Sequence, residues 1–173
     1  MQRALFTEEE VRLASERRLK YHGTAKVSLD QIAFDPPLPR DLDPKNLKRI
    51  KEIFRKNRCR RFDIDNHVPA IISRRDLAAA LQQAQVPARA LMTNIAERLP
   101  TLRFSAGQLW GLHGRHRAQV ASEVLPPLDR WWTVDLYLDG MIFMLFLYPV
   151  LIVSRSRRYW QQPQDLVNRR ICQ

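Results

Sequence analysis

Leu112-His113-Gly114-Arg115-His116-Arg117-Ala118-Gln119-Val120-Ala121 is the stretch that decides how the rest of the chain reads. The apolar run Leu109-Trp110-Gly111-Leu112 ends here as a short strand, Gly114 permits a close backbone turn, and a helix is expected from about Arg115 to Val124. A strand that feeds a glycine and then a helix aims the helix's first amide groups at whatever lies in front of them. Arg115, His116 and Arg117 add cationic side chains at the positive end of the helix dipole, which is unfavourable unless an anion sits there. The expectation is an anion-binding turn. The competing reading is a surface turn whose basic residues point into water.

Upstream, Thr7-Glu8-Glu9-Glu10 has the form of a capping box for a helix reaching about Arg18, which Gly23 would stop. Lys26-Val27-Ser28-Leu29-Asp30 alternates as a short strand does. Asp35-Pro36-Pro37-Leu38-Pro39-Arg40 lacks the donors for a regular element, so it is expected to be an extended loop that delivers Arg40. Asp43 caps a helix with Pro44 at its first position; Leu47, Ile50, Ile53 and Phe54 recur at helical spacing, and Lys45, Lys48, Lys51, Arg55 and Lys56 occupy its other surface. Val68 to Ser73 reads as a buried strand entered through Pro69. A helical pair, Arg75–Gln85 and Ala88–Leu99, is broken at Val86-Pro87. Trp131 to Tyr137 alternates, with Trp132, Val134 and Leu136 on one face. The fold class expected is mixed α/β: one domain over residues 1–139, its core about 25–137, with an inserted helical hairpin at about 75–99.

The charge supports an anionic partner. Lys and Arg number 29 against 18 Asp and Glu, for a net +11, and Arg supplies 23 of the positive charges. Arg forks bind phosphate bidentately, where Lys offers a point charge. The field favours nucleotides, nucleic acid or acidic surfaces. Two cysteines, Cys59 and Cys172, make no disulfide framework, and the N-terminus has no apolar run of signal length. An intracellular protein, nuclear or cytoplasmic and not secreted, is expected.

Residues 140–173 change character. Met141 to Val153 is apolar apart from Pro149 and is followed by Arg155, Arg157 and Arg158. Thirteen residues, twelve of them apolar, fall short of the roughly 20 that a membrane helix needs. A membrane span is not the expectation, and this apolar then basic tail is read as a translated intron or a truncated C-terminus.

Gly114-Arg115-His116-Arg117 followed by small residues resembles the signature of the ParB/sulfiredoxin superfamily. The order of strand, Asp35–Arg40 loop, Pro44–Asn57 helix, Pro69–Ser73 strand and Trp132–Tyr137 strand is similar to that family's order. The resemblance implies phosphate or nucleotide binding by Gly114, His116 and Arg117, with Arg40 a second contact and Arg115 an addition of this variant. It also implies a nucleoside triphosphate with Mg²⁺ as the cofactor to consider. Arg115 stands where sulfiredoxins carry their nucleophilic cysteine and where ParB proteins carry an acid, so sulfinic-acid reduction is not expected and nucleotide hydrolysis is left open. Leu19-Lys20-Tyr21-His22-Gly23, Leu112–Arg117 and Asp129–Tyr137 more closely resemble a fungal family of uncharacterised proteins, often cargo of large mobile elements.

Other signals are weaker. Arg58, Arg60 and Arg61 beside Phe62 suit a nucleic-acid backbone, or a solvated linker. No His/Cys cluster has metal-ligand spacing, so no metal site is expected. Asp63 and Asp65 could face a Mg²⁺ ion, but beside Asn66 and His67 they read as a turn. The helical pair offers few base-reading side chains and reads as a structural hairpin rather than a helix-turn-helix. Trp131 and Trp132 cannot both face inward on one strand; one is expected in the core and its neighbour against the hairpin or a protein partner. The function expected is a nucleotide- or phosphate-binding module linked to DNA transactions of a mobile element. The alternatives are a non-enzymatic nucleic-acid-binding protein using the same basic face, or an inactive fragment.

Overall fold

Apolar alternation builds the central sheet, and it does so more completely than the sequence pattern suggests. The computed structural model describes residues 14, 15, 17–34, 42–57, 59–93 and 95–139. The Thr7–Glu10 box, the proline loop with Arg40, Arg58, Asn94 and the 140–173 tail lie outside the described residues. The chain divides into two units, one of His22–Asp139 and one of Met1–Tyr21 with Gly140–Gln173; of the second, residues 14, 15 and 17–20 are helical. Among the described residues no helix is long and apolar enough to cross a membrane, and the apolar run 141–153 is not among them.

The elements are β1 (Tyr21–Ser28), β2 (Ile32–Ala33), α1 (Pro44–Asn57), β3 (Val68–Ile72), α2 (Arg74–Ala84), β4 (Leu109–Gly111), α3 (Arg115–Val124) and β5 (Trp131–Leu138). They form a mixed α/β fold around a five-stranded sheet in the order β1-β5-β3-β4-β2. β3 runs parallel to β5, with Val68 opposite Val134 and Ile72 opposite Leu138. β4 is antiparallel to β3, with Ala70 opposite Gly111, and parallel to β2. Trp132, Val134 and Leu136 are 0 % exposed on the expected face. The other face of β5 is also buried, at Thr133, Asp135 and Tyr137. Val68, Ala70 and Ile72 join the same apolar cluster, with Phe54 of α1, Leu77 of α2 and Ala121 of α3. Phe54 stacks on Trp132, ring centroids 5.8 Å apart, a contact worth about 1 kcal/mol beyond its buried area.

Two elements differ from expectation. Gly23 lies inside β1 rather than at a helix end, at φ +117°, where a Cβ would collide with the Leu91 carbonyl oxygen. Close approach of another backbone, not helix termination, is what the glycine serves. The second member of the helical pair is two 3-10 turns, Ala88–Met92 and Ala96–Arg98. Between them Thr93 is extended, and its Oγ1 accepts the Ile95 N–H at 3.2 Å. That local side-chain bond competes with the helical ladder. The first member forms as read, with Ser73 capping it through the Asp76 N–H at 3.0 Å.

The segment from Cys59 to His67 is pinned at both ends of its turn. Asn66 Nδ2 donates to Arg60 O at 2.9 Å, and the Asp63 N–H donates to the same oxygen at 3.1 Å. His67 Nδ1 meets the buried Asp135 carboxylate at 3.0 Å and its Nε2 meets Phe62 O at 3.2 Å. Thr24 donates to Asp135 at 2.7 Å. A carboxylate inside a sheet needs such partners, because its desolvation is otherwise unfavourable.

Candidate functional site

The strand–glycine–helix turn has the expected form. Leu112 N–H donates to Pro69 O at 2.8 Å, which holds the chain on β3 beyond the end of β4. Gly114 then turns at φ +97°, and α3 begins at Arg115 with no side-chain cap and no acidic residue in its first turn. The helical ladder starts with Ala118 N–H to Gly114 O at 2.9 Å, so the amides of 115–117 precede it. A Cβ on Gly114 would lie 2.9 Å from Val68 Cγ2, so both conformation and space require glycine.

In front of this turn is a cleft of about 320 Å³, between α1, the Cys59–Asn66 segment and residues 113–117. Arg49, Arg60 and Arg117 line it with His113 and His116, and Asn46 and Asn66 add amides. Among the described residues no carboxylate lines it. Ile50, Ile53 and Phe54 of α1 form an apolar wall.

The cations differ in what holds them. Arg117 is half-buried and its Nη1 donates to Asn66 O at 3.1 Å. Burial lowers its proton affinity and Asp65 partly restores it; a guanidinium remains charged at neutral pH. Trp132 Nε1 donates to the same Asn66 oxygen at 2.8 Å, linking the cleft to the core. Arg49 Nε and Nη2 donate to Asn46 Oδ1, one turn earlier on α1, at 3.3 and 3.0 Å. Arg60 has φ +40° and pairs with Asp63 at 2.9 Å, with its side chain 62 % exposed. An exposed pair of this kind contributes at most about 1 kcal/mol, so its guanidinium is readily redirected. Cys59 also lines the cleft; burial raises its thiol pKa, Arg61 opposes this and Asp129 adds to it.

His116 reaches the cleft, but its Nε2 accepts the Asp43 N–H at 2.9 Å. That nitrogen carries no proton in this arrangement, so the ring fastens α3 to the start of α1 rather than supplying charge there. Lys51 of α1 and Glu123 of α3 form a second tie between the helices. Arg115 does not line the cleft. Arg61, expected on a nucleic-acid contact surface, is used internally. Its guanidinium stacks 3.8 Å above the Trp131 ring, and its Nη1 donates to Asp129 O and Trp131 O at 2.8 and 3.2 Å. Phe62 and Lys26 also meet Trp131, so its ring is covered by this loop and by β1 rather than by the hairpin. Arg40 and Arg58 are outside the described residues.

Arg49, Asn46, Asn66 and His113 are cleft residues that the sequence reading missed. Asn46, Arg49 and Ile53 follow one another at helical spacing on a flank of the α1 apolar row, and that spacing was the available signal. Asn66 and His113 had none, since their position depends on how the loops fold back.

Comparison with known proteins gives a family and a distant structural likeness. The sequence matches the family described as "Protein of unknown function (DUF3723) N-terminal domain" over residues 20–145. No curated protein matches the chain. Among solved structures it is similar to the C-terminally truncated chromosome-partitioning protein ParB from Caulobacter crescentus, complexed with CTP-gamma-S, at 11 % identity and a TM-score of 0.45. The alignment covers 78 % of this chain and 54 % of that one, so the chain spans about half of that protein's length.

Proposed function

The chain belongs to the DUF3723 N-terminal domain family, and we propose that it binds a phosphate-bearing ligand, a nucleotide or nucleic acid, in the cleft before α3. One observation carries this reading. A cleft of about 320 Å³ at the start of a helix without acidic first-turn residues is lined by Arg49, Arg60 and Arg117 and, among the described residues, by no carboxylate. Asp63 and Asp65 lie near Arg60 and Arg117, but three guanidiniums and a helix N-terminus at one cavity still leave an excess of positive charge that favours an anion there.

In this reading Gly114 lets the ligand approach, and the amides that precede the α3 ladder receive phosphate oxygens. Arg49, Arg60 and Arg117 balance the charge, while His116 positions the turn. Arg40 would close over the ligand from the proline loop. Ile50 and Ile53 offer an apolar surface for a base, which makes nucleoside triphosphates with Mg²⁺ the first ligands to test. A setting in DNA transactions of a mobile element is suggested by the resemblance at Leu112–Arg117 and Asp129–Tyr137.

The test is a thermal-shift panel on the full chain with inorganic phosphate, ATP, CTP, GTP and short DNA, repeated with Arg49→Ala. Among the described residues the Arg49 guanidinium hydrogen-bonds Asn46 on its own helix and Arg49 is exposed, so its removal reads binding more cleanly than removal of the half-buried Arg117. A ligand at a hundred times its Kd should stabilise the fold by about 2.7 kcal/mol, and Arg49→Ala should lose most of that response. No response to any member of the panel would remove the proposal. A phosphodiester occupant is the second reading, supported by the net +11 charge; it predicts steep salt dependence where a small nucleotide in the same cleft predicts a shallow one.

A further inference from the structure

α1 presents a second polar surface that the cleft does not use. Asn46, Arg49 and Ile53 on one flank line the cleft. Lys45, Lys48, Arg55 and Lys56 are exposed on the outer arc, together with Glu52. At 3.6 residues per turn these five positions fall within about a third of the helix circumference, opposite the buried Phe54. Among the described residues none of the four cations is in an ion pair, whereas Lys51, just off the arc, is tied to Glu123. The N-terminus of α1 is capped by Asp43, whose Oδ1 accepts the Lys45 N–H at 3.0 Å, so the Lys45 ammonium is left to face outward with the other cations of the arc. Glu52 is the one opposing charge on the arc.

We propose that this outer arc, which adjoins the cleft at Arg49, docks the phosphodiester backbone of duplex DNA whatever the cleft itself binds. Lys45 to Lys56 span about 16 Å along the helix axis, a length over which duplex DNA carries about ten phosphate charges. The arc has no aromatic side chain on which an unpaired base could stack, which favours duplex over single strand. Phe54, Leu47 and Ile50 of α1 pack on the core and Ile53 lies in the cleft lining, so the arc itself carries no apolar side chain to enter a bilayer. Lysine contacts to phosphate fix register without reading sequence, so the docking is non-specific.

The experiment is fluorescence anisotropy of the full chain with a short duplex across a salt series. It is repeated with the Lys45→Ala, Lys48→Ala, Arg55→Ala, Lys56→Ala quadruple variant and with Glu52→Gln. Four phosphate contacts give a log–log salt slope of about −3.6, or roughly a hundredfold loss of affinity between about 50 and 200 mM salt. The quadruple variant should bind at least about tenfold more weakly at low salt and flatten that slope. Glu52→Gln should tighten binding by roughly threefold, the scale of one surface charge pair. A merely destabilised protein would not bind more tightly, so this gain keeps the test decisive even if the quadruple variant misfolds. An unchanged slope in a folded quadruple variant overturns the proposal, as does a Glu52→Gln protein indistinguishable from the parent. Equal binding to phosphatidylserine vesicles, lost in the same variants, would assign the arc to anionic lipid and overturn it as well.

Discussion

Replacing Gly114 by Ala puts a methyl group 2.9 Å from Val68 Cγ2 at a φ of +97°. Left-handed strain and overpacking together should cost about 2–4 kcal/mol, read as a fall in the urea midpoint, and the ligand-induced thermal shift should disappear with it. Cys59 gives a test in pH. Burial raises its thiol above the ordinary value, against the pull of Arg61, so the native protein keeps that proton at pH values where the unfolded chain has lost it. Its contribution to stability is therefore complete below the ordinary thiol range and is lost as pH climbs through the raised native value. In a Cys172→Ser background, iodoacetamide should modify Cys59 more slowly in the native than in the urea-unfolded protein at pH 8–9; equal rates would contradict the burial. At this scale the sequence revealed the glycine, because a strand and a helix flank it. It did not reveal that His116 accepts a backbone N–H or that Arg61 stacks on Trp131. Both depend on contacts across 73 and 70 residues of chain, and only the folded geometry selects among so many arginines.

Among the elements, α2 shows how a helix can end without glycine. Gln85 takes the left-handed position at φ 54°, with its N–H on Gln82 O, while the Val86 N–H reaches Leu81 O. The chain accepts the strain of a side chain there. Gln85→Gly should raise stability by about 0.5–1 kcal/mol, checked by the thermal midpoint; no gain would mean that the Gln85 side chain supplies something the backbone geometry does not. α1, β3, α3 and β5 were legible because each joins a clear apolar period to a capping or breaking residue. β2 was not, since two residues, Ile32 and Ala33, carry no period. The turns at Ala88–Met92 and Ala96–Arg98 were misread because their apolar spacing is helical while Thr93 diverts the backbone.

For the molecule as a whole, the mixed α/β class followed from element order, but the double-sided burial of β5 did not. Thr133 and Asp135 read as solvent-facing residues in an alternating strand, yet both are buried. Asp135 is tolerated there because His67 and Thr24 reach it from other parts of the chain. The site was legible as a turn and illegible as a cleft. The turn is contiguous in sequence, whereas the opposite wall comes from α1 and from Asn66, folded back against it.

The Asn66 carbonyl oxygen receives both Arg117 and the indole of Trp132. An anion in the proposed site that drew on Arg117 would alter the electron density which that oxygen offers the indole, and Trp132 would then report occupancy optically. With Trp110→Phe, Trp131→Phe and Trp160→Phe in place, the emission maximum of Trp132 should move on titration with phosphate ligands, without any attached dye. A flat emission spectrum under conditions where the thermal midpoint rises would show that the interior does not sense the ligand through this oxygen.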